Sequence, residues 1–175
     1  LGEAILEVLE EGGEAALSMR TLADKLGLKA HSLYRHYESK EALEQALAQH
    51  GNHLLNEQLE AALAGHSAQE AVVAAARAYT GFARAHPQLY RLMIDVRLAP
   101  PGGGSGKELW NTVLRVVGGL TGDPDDTAAA VAFWAFLYGY VESERSGLFG
   151  ASGPKGGFEA GLEALIEGFR ARARG

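Results

Sequence analysis

Side chains able to engage a polyanion gather in residues 18 to 40, Ser-Met-Arg-Thr-Leu-Ala-Asp-Lys-Leu-Gly-Leu-Lys-Ala-His-Ser-Leu-Tyr-Arg-His-Tyr-Glu-Ser-Lys. Arg20, Lys25, Lys29, Arg35 and Lys40 stand there against only Asp24 and Glu38, with His31 and His36 between them. Guanidinium and ammonium groups attract phosphate oxygens, and hydroxyl and imidazole groups such as those of Thr21, Ser32, Tyr34 and His31 bond phosphates or base edges. The surroundings are the reverse: residues 1 to 17 carry Glu3, Glu7, Glu10, Glu11 and Glu14 with no base, and the chain's net charge is −6. An acidic chain with one small basic patch suits a selective reader of DNA with weak non-specific affinity.

Other chemistries find less support. There is no Cys in the 175 residues, which excludes disulfides, thiolate metal sites and Cys nucleophiles. The run Gly102-Gly-Gly-Ser-Gly-Lys107 superficially suggests a phosphate-binding loop. Pro101 occupies its first Gly position, however, Glu108 replaces the Ser or Thr, and no strand precedes it. Ser105 also misses the Gly-x-Ser-x-Gly nucleophile pattern, because Lys107 stands where the last Gly belongs. His50 and His53 are three apart on a helix, but no third ligand accompanies them, so no metal is expected. Glu142 and Glu144 point in different directions, and solvation or pairing with Arg145 suits them better than catalysis. No catalytic set and no cofactor loop is found.

The elements that must position the basic stretch are all helices. Ala, Leu and Glu dominate, alternating β-branched runs are absent, and Gly and Pro punctuate the chain. Leu1, Ile5, Val8 and Leu9 stripe a first helix that Gly12 and Gly13 end. Ser18 is the expected N-cap of a second, which buries Leu22 and Leu26, and Gly27 supplies the turn. A third runs from Ala30 to Tyr37. Ser39 caps a long fourth helix reaching Leu63, with Leu43, Leu47, Leu54, Leu59 and Leu63 as its apolar positions. Ser67-Ala-Gln-Glu70 is a capping box for a fifth helix bearing Val72, Ala76, Tyr79 and Ala83, and Pro87 opens a sixth. Residues 99 to 104 read as a loop. Ser105-Gly-Lys-Glu108 is expected to cap a seventh helix, Asp123-Pro124 to open an eighth, and residues 147 to 157 to form a Gly-rich loop before a ninth.

Two short helices joined by a Gly turn, the second polar on its outer face, have the form of a helix-turn-helix, which lays its second helix in the major groove. Leu22, Ala23, Leu26 and Leu33 form the expected inner packing, with Ala23 small where the helices cross. Ala30, His31, Ser32 and Arg35 are expected to face the groove, and Tyr34, His36 and Lys40 to reach phosphates. Arg20, Thr21 and Lys29 complete the expected DNA-binding set. Tyr37 is expected in the core.

Leu33-Tyr34-Arg35-His36-Tyr37 followed by Ser39-Lys40-Glu41-Ala42-Leu43 resembles the recognition helix and following helix of the TetR/AcrR family of bacterial regulators. His86-Pro87-Gln88-Leu89-Tyr90-Arg91-Leu92-Met93 and the pair Trp134 and Gly139 resemble a subgroup named for a Trp-His-Gly pattern. Here Tyr138 stands where that subgroup has His. The resemblance implies an all-α chain of about nine helices, a three-helix head on a larger ligand-binding and dimerisation body. It implies a dimer on a near-palindromic operator, released by a small molecule bound in the body. Ala30, His31 and Ser32 match the family's base-reading positions, Tyr34 and Lys40 its phosphate anchors, and Arg20 a further contact. Ala30 can offer only an apolar contact, for example to a thymine methyl.

The expected division is a DNA-binding domain over 1–47 and a ligand and dimerisation domain over 48–175. The expected pocket set is Tyr79, Phe82, Tyr90, Met93, Trp110, Trp134 and Tyr138. The eighth helix is apolar nearly all round from Val131 to Val141, so one face should meet the core and the other a second subunit. The expected dimer interface uses 124–145 and 156–172, where Gly161 and Gly168 permit close helix approach. No run is apolar enough to span a bilayer and no signal peptide opens the chain, so a cytoplasmic protein is expected. Leu1 in place of Met points to a trimmed start. An activator or a regulator without an inducer fits the same residues, and an all-α enzyme or carrier fits them poorly.

Overall fold

The computed structural model describes residues 2–99, 104–150 and 156–174, and among them every regular element is a helix. The chain divides into two compact units: Leu1–Leu54 with Arg84–Lys107, and Leu55–Ala83 with Glu108–Gly175. The expectations at Leu1, Pro101 and Gly102 lie outside the described residues, as does most of the loop at 99–104.

In the first unit, α1 (Gly2–Gly12) buries Ile5, Val8 and Leu9 along one stripe. It stops at Gly13, whose φ of 64° is a left-handed conformation open to glycine. A single 3-10 turn, Glu14–Leu17, then leads to α2 (Met19–Leu26). Ser18 caps α2 as expected, accepting the Thr21 N–H at 3.1 Å. At the other end Gly27 sits at φ 63°, and the Leu28 N–H returns to the Ala23 carbonyl at 2.9 Å. The next helix, α3 (Ala30–Tyr34), is shorter than the sequence suggests. The Arg35, His36 and Tyr37 N–H groups turn back to His31 and Leu33, and the chain leaves the helix for the Ser39 cap.

Ser39 Oγ accepts the Ala42 N–H at 3.1 Å and so starts α4 (Lys40–Leu63). Leu43, Leu47, Leu55 and Leu59 are its buried leucines, whereas Leu54 and Leu63 are only half-buried. The first unit also holds α6 (Pro87–Met93) and a 3-10 turn, Val96–Leu98. Glu10 of α1 accepts the N–H groups of Gln88 and Leu89 at 3.1 and 3.0 Å, capping α6 from a distant part of the chain. A Cβ at Gly51 would lie 2.6 Å from Met93 Sδ, so α4 and α6 cross there at glycine distance.

In the second unit, α5 (Ala68–Ala85) starts with the expected capping box: Ser67 donates its N–H to Glu70 at 2.9 Å, and its hydroxyl donates to the same oxygen at 2.6 Å. Val72, Ala76, Tyr79 and Ala83 are all buried. Of α7 (Gly104–Thr121), the second unit buries Val113, Val116 and Val117. Ser105 lies inside α7 and does not cap it, because the helix already begins at Gly104. Asp123 is likewise not the cap of α8 (Thr127–Arg145). Its carboxylate accepts the Asp125 N–H at 2.9 Å in a turn, and Asp126 caps the helix through the Ala129 N–H at 3.0 Å. A second bond set ties this cap to α9 (Gly157–Arg172), where Arg172 donates to both Asp126 oxygens at 2.7 Å. Phe133 meets Phe169 edge-on, and a Cβ at Gly161 would lie 2.4 Å from the Phe136 ring. Gly161 therefore serves packing of α9 on α8 within the chain, while Gly168 has open space around it.

Candidate nucleic-acid interface

The helix-turn-helix is built on one side by Leu22, Ala23 and Leu33, all buried, with Leu26 half-buried. Leu33 is the one buried residue of α3, and most of its neighbours on and just after the helix are open to solvent. Ala30, His31, Tyr34 and Arg35 are exposed, Ser32 is half-buried, and Tyr34 keeps 53% of its surface open. Arg20, Lys29 and His36 are exposed as well. An exposed tyrosine among basic residues offers its phenol to a phosphate, the kind of contact that sets register on a duplex. Tyr37, expected in the core, is half-buried, its ring tilted 6.4 Å from that of His36.

Two members of the set have partners of their own. The Thr21 hydroxyl lies 2.6 Å from Ser18 Oγ, so it belongs first to the α2 cap. Lys40 Nζ is 3.1 Å from the buried Glu44 and 3.8 Å from Glu14. Neither carboxylate was paired with Lys40 from the sequence, although the Lys40–Glu44 spacing of four on a helix is a legible signal. Among the described residues no three His, Asp or Glu side chains stand together as metal ligands.

The second unit contains a small apolar cavity of about 10 Å³, the room one water needs. Leu59, Ala75, Tyr79, Val116, Phe133 and Trp134 are among its walls, and Thr112 is the one lining residue besides Tyr79 and Trp134 that carries a side-chain polar group. The Thr112 hydroxyl donates toward Asn56 at 2.7 Å and Glu60 at 3.1 Å, and Arg115 pairs with Glu60. Of the expected pocket set, Tyr79 and Trp134 line this cavity, and Tyr138 stacks on Trp134 at 5.4 Å. Phe82 is buried elsewhere in the same unit and Trp110 is half-buried. Tyr90 and Met93 belong to the first unit, where Tyr90 is buried and Met93 packs on Gly51.

Residues 1–47 match the family described as bacterial regulatory proteins, tetR family, and residues 72–169 match the tetracyclin repressor-like C-terminal domain. The chain belongs to the TetR family. TetR-family relatives agree: an uncharacterised helix-turn-helix transcriptional regulator of Mycobacterium tuberculosis is 30% identical over 151 residues, covering 83% of this chain and 69% of the relative. The class A tetracycline repressor of Escherichia coli is 26% identical, covering 97% of this chain and 88% of the repressor. Among solved structures, a protein of unknown function from Rhodococcus superposes with a TM-score of 0.75 at 25% identity, covering 97% and 90% of the two chains. A possible TetR regulator from Streptomyces coelicolor superposes with a TM-score of 0.71 at 23% identity, covering 97% of each chain. The protein is thus a TetR-family transcriptional regulator that binds DNA, and not an enzyme. No helix among the described residues is long and apolar enough to cross a membrane.

Proposed function

We propose that this TetR-family regulator is a homodimeric repressor of the cytoplasm, holding a near-palindromic operator until a small molecule releases it. The observation that carries the DNA reading is the outward set on α3, with Ala30, His31, Tyr34 and Arg35 exposed around the buried Leu33. His31 and Ser32 read base edges, Ala30 offers an apolar contact, and Arg35 reaches the groove. Tyr34, His36 and Lys40 engage phosphates, with Arg20, Thr21 and Lys29 flanking them. Residues 1–47 form the DNA-binding domain and residues 48–175 the ligand and dimerisation domain.

Subunits meet through α8 and α9. Val131, Trp134, Ala135 and Gly139 are exposed at helical spacing on α8, as are Ala160, Ala164, Gly168 and Ala171 on α9. An apolar stripe and a small-residue stripe left open on one chain suit pairing with a second copy. The effector enters at the cavity beside Tyr79 and Trp134, which has to widen to admit it. Its walls bear no charged side chain, which favours an uncharged, largely apolar molecule. The kinship with a tetracycline repressor supports the repressor mode.

In-vitro selection from random duplexes tests the reading. An enriched palindrome whose half-sites lie about one helical turn apart, or a multiple of that spacing, is the expected result. Recovery of no common sequence, or of a single half-site, overturns it.

A further inference from the structure

Lys40 occupies an electrostatically awkward position. It is the first residue of α4, at the end where unpaired N–H groups already present positive charge. Its ammonium is compensated from two directions. Glu44, one turn on, lies 3.1 Å from Nζ with only 9% of its side chain exposed. Glu14, from the 3-10 turn before α2, lies 3.8 Å away with 47% exposed. The remaining charges nearby do not relieve this excess of carboxylate. Arg97 is bound by Asp95 through bonds of 2.5 to 3.0 Å. Asp95 raises the Arg97 pKa most, with smaller contributions from Glu14 and Glu44, which places Arg97 in the same field. Glu14 and Glu44 thus act on both Lys40 and Arg97, Glu41 acts on Lys40 and Asp95 on Arg97, four negative charges against two positive.

A phosphate arriving at Lys40 meets an ammonium whose charge is already offset. The offset comes mainly from a buried carboxylate, which solvent ions screen weakly. We infer that Glu44, assisted by Glu14, is an electrostatic brake that lowers the protein's affinity for every DNA duplex by neutralising Lys40. This rests on the phosphate role proposed above for Lys40. Because the brake acts on a backbone contact, it weakens operator and random duplex alike. It limits the time spent on non-specific DNA and keeps operator binding weak enough for an effector to undo.

The test measures fluorescence anisotropy of the full chain on a labelled 24-base-pair duplex of arbitrary sequence, over a range of salt concentrations, with folding checked by circular dichroism. Glu44→Gln keeps the side-chain shape and removes the charge. It is expected to tighten binding by about three- to tenfold near 0.1 M salt and to steepen the log K against log salt slope by up to about one unit. Glu14→Gln gives a smaller gain in the same direction. Lys40→Met weakens binding and abolishes the gain from either Glu variant. A purely structural role for Glu44 predicts the opposite sign, weaker binding by a less stable fold. If Glu44→Gln does not fold, Glu14→Gln alone decides, and no gain overturns the brake. If Lys40→Met weakens binding but neither Glu variant strengthens it, the brake fails while the phosphate contact stands. If Lys40→Met changes nothing, the phosphate contact fails and the brake with it.

Discussion

The carboxylate of Glu10 accepts the backbone N–H of Leu89 at 3.0 Å, so a residue of the first helix closes the start of the sixth. The Gln88 N–H goes to its other oxygen, and Pro87 before them has no N–H to satisfy. No side chain local to α6 supplies this cap, since His86 makes none.

Glu10→Ala should therefore cost about 1 to 2 kcal/mol, the range of a lost N-cap. Urea unfolding monitored by circular dichroism measures it. Glu10→Gln retains an acceptor and should lose less; equal losses would assign the effect to packing.

Base-reading and backbone contacts on α3 should separate cleanly. Tyr34→Phe is expected to weaken binding on every sequence by a similar factor. His31→Ala and Ser32→Ala are expected to change the base preferred at particular operator positions. Selection from random DNA with each variant provides the comparison. An unaltered motif from both His31 and Ser32 variants would remove them as readers.

The Asp126–Arg172 pair should make stability depend on acid pH. The Arg172 guanidinium, followed by the Ala129 N–H, holds the Asp126 carboxyl below the usual carboxylate range. A lowered folded pKa means stability present at neutral pH and lost as pH falls below about 4. Asn is also a good N-cap, so Asp126→Asn removes mainly the ion pair. The melting temperature of the variant should lie below the parent's at pH 7, and the gap should narrow as pH falls below about 4. A constant gap across that range would rule out the pair as its origin.

Gly118→Ala should destabilise the second unit. Its Cβ would stand 2.8 Å from the Asp123 carbonyl oxygen and 2.9 Å from Pro124 Cα, and backbone yields less readily than a side chain. Overpacking of this kind costs about 1 to 3 kcal/mol. Gly81→Ala on α5, with open space around it and outside the proposed dimer faces, serves as the control: helix propensity alone should make it neutral or stabilising, and a similar loss from both would remove crowding at Gly118 as the cause.

Val131→Lys should convert the proposed dimer to monomers in sedimentation velocity. Val131 is 52% exposed at the outer face of α8, and a lysine there leaves the fold of the single chain intact. A dimer that survives the change moves the interface away from α8.

The head was largely legible because its signals are local. Ser18, Gly27 and Ser39 act on backbone groups within a few residues, and each performs the capping or turning task its type suggests. Periodicity also located the buried faces of α1 and α5. Reading failed where two candidates competed over a short distance. Asp123-Pro124 is a sound helix opening, but Asp126 has an Arg172 partner far along the chain and captures the cap. Ser105-Gly-Lys-Glu108 likewise reads as a box, yet the helix starts before it. Glu10 was invisible for the same reason, because its bonds reach residues 78 and 79 positions away. The aromatic set was gathered by composition alone. The fold assigns its members to different surroundings, with Tyr79 and Trp134 at the cavity and Tyr90 and Met93 in the first unit.

Trp134 is a wall of the cavity and is also 40% exposed at the outer face of α8. On the proposed function, one indole then has two clients, the effector inside and the second subunit outside. A substitution at this position is expected to alter both properties together, whereas a change at the buried Tyr79 is expected to alter the cavity alone.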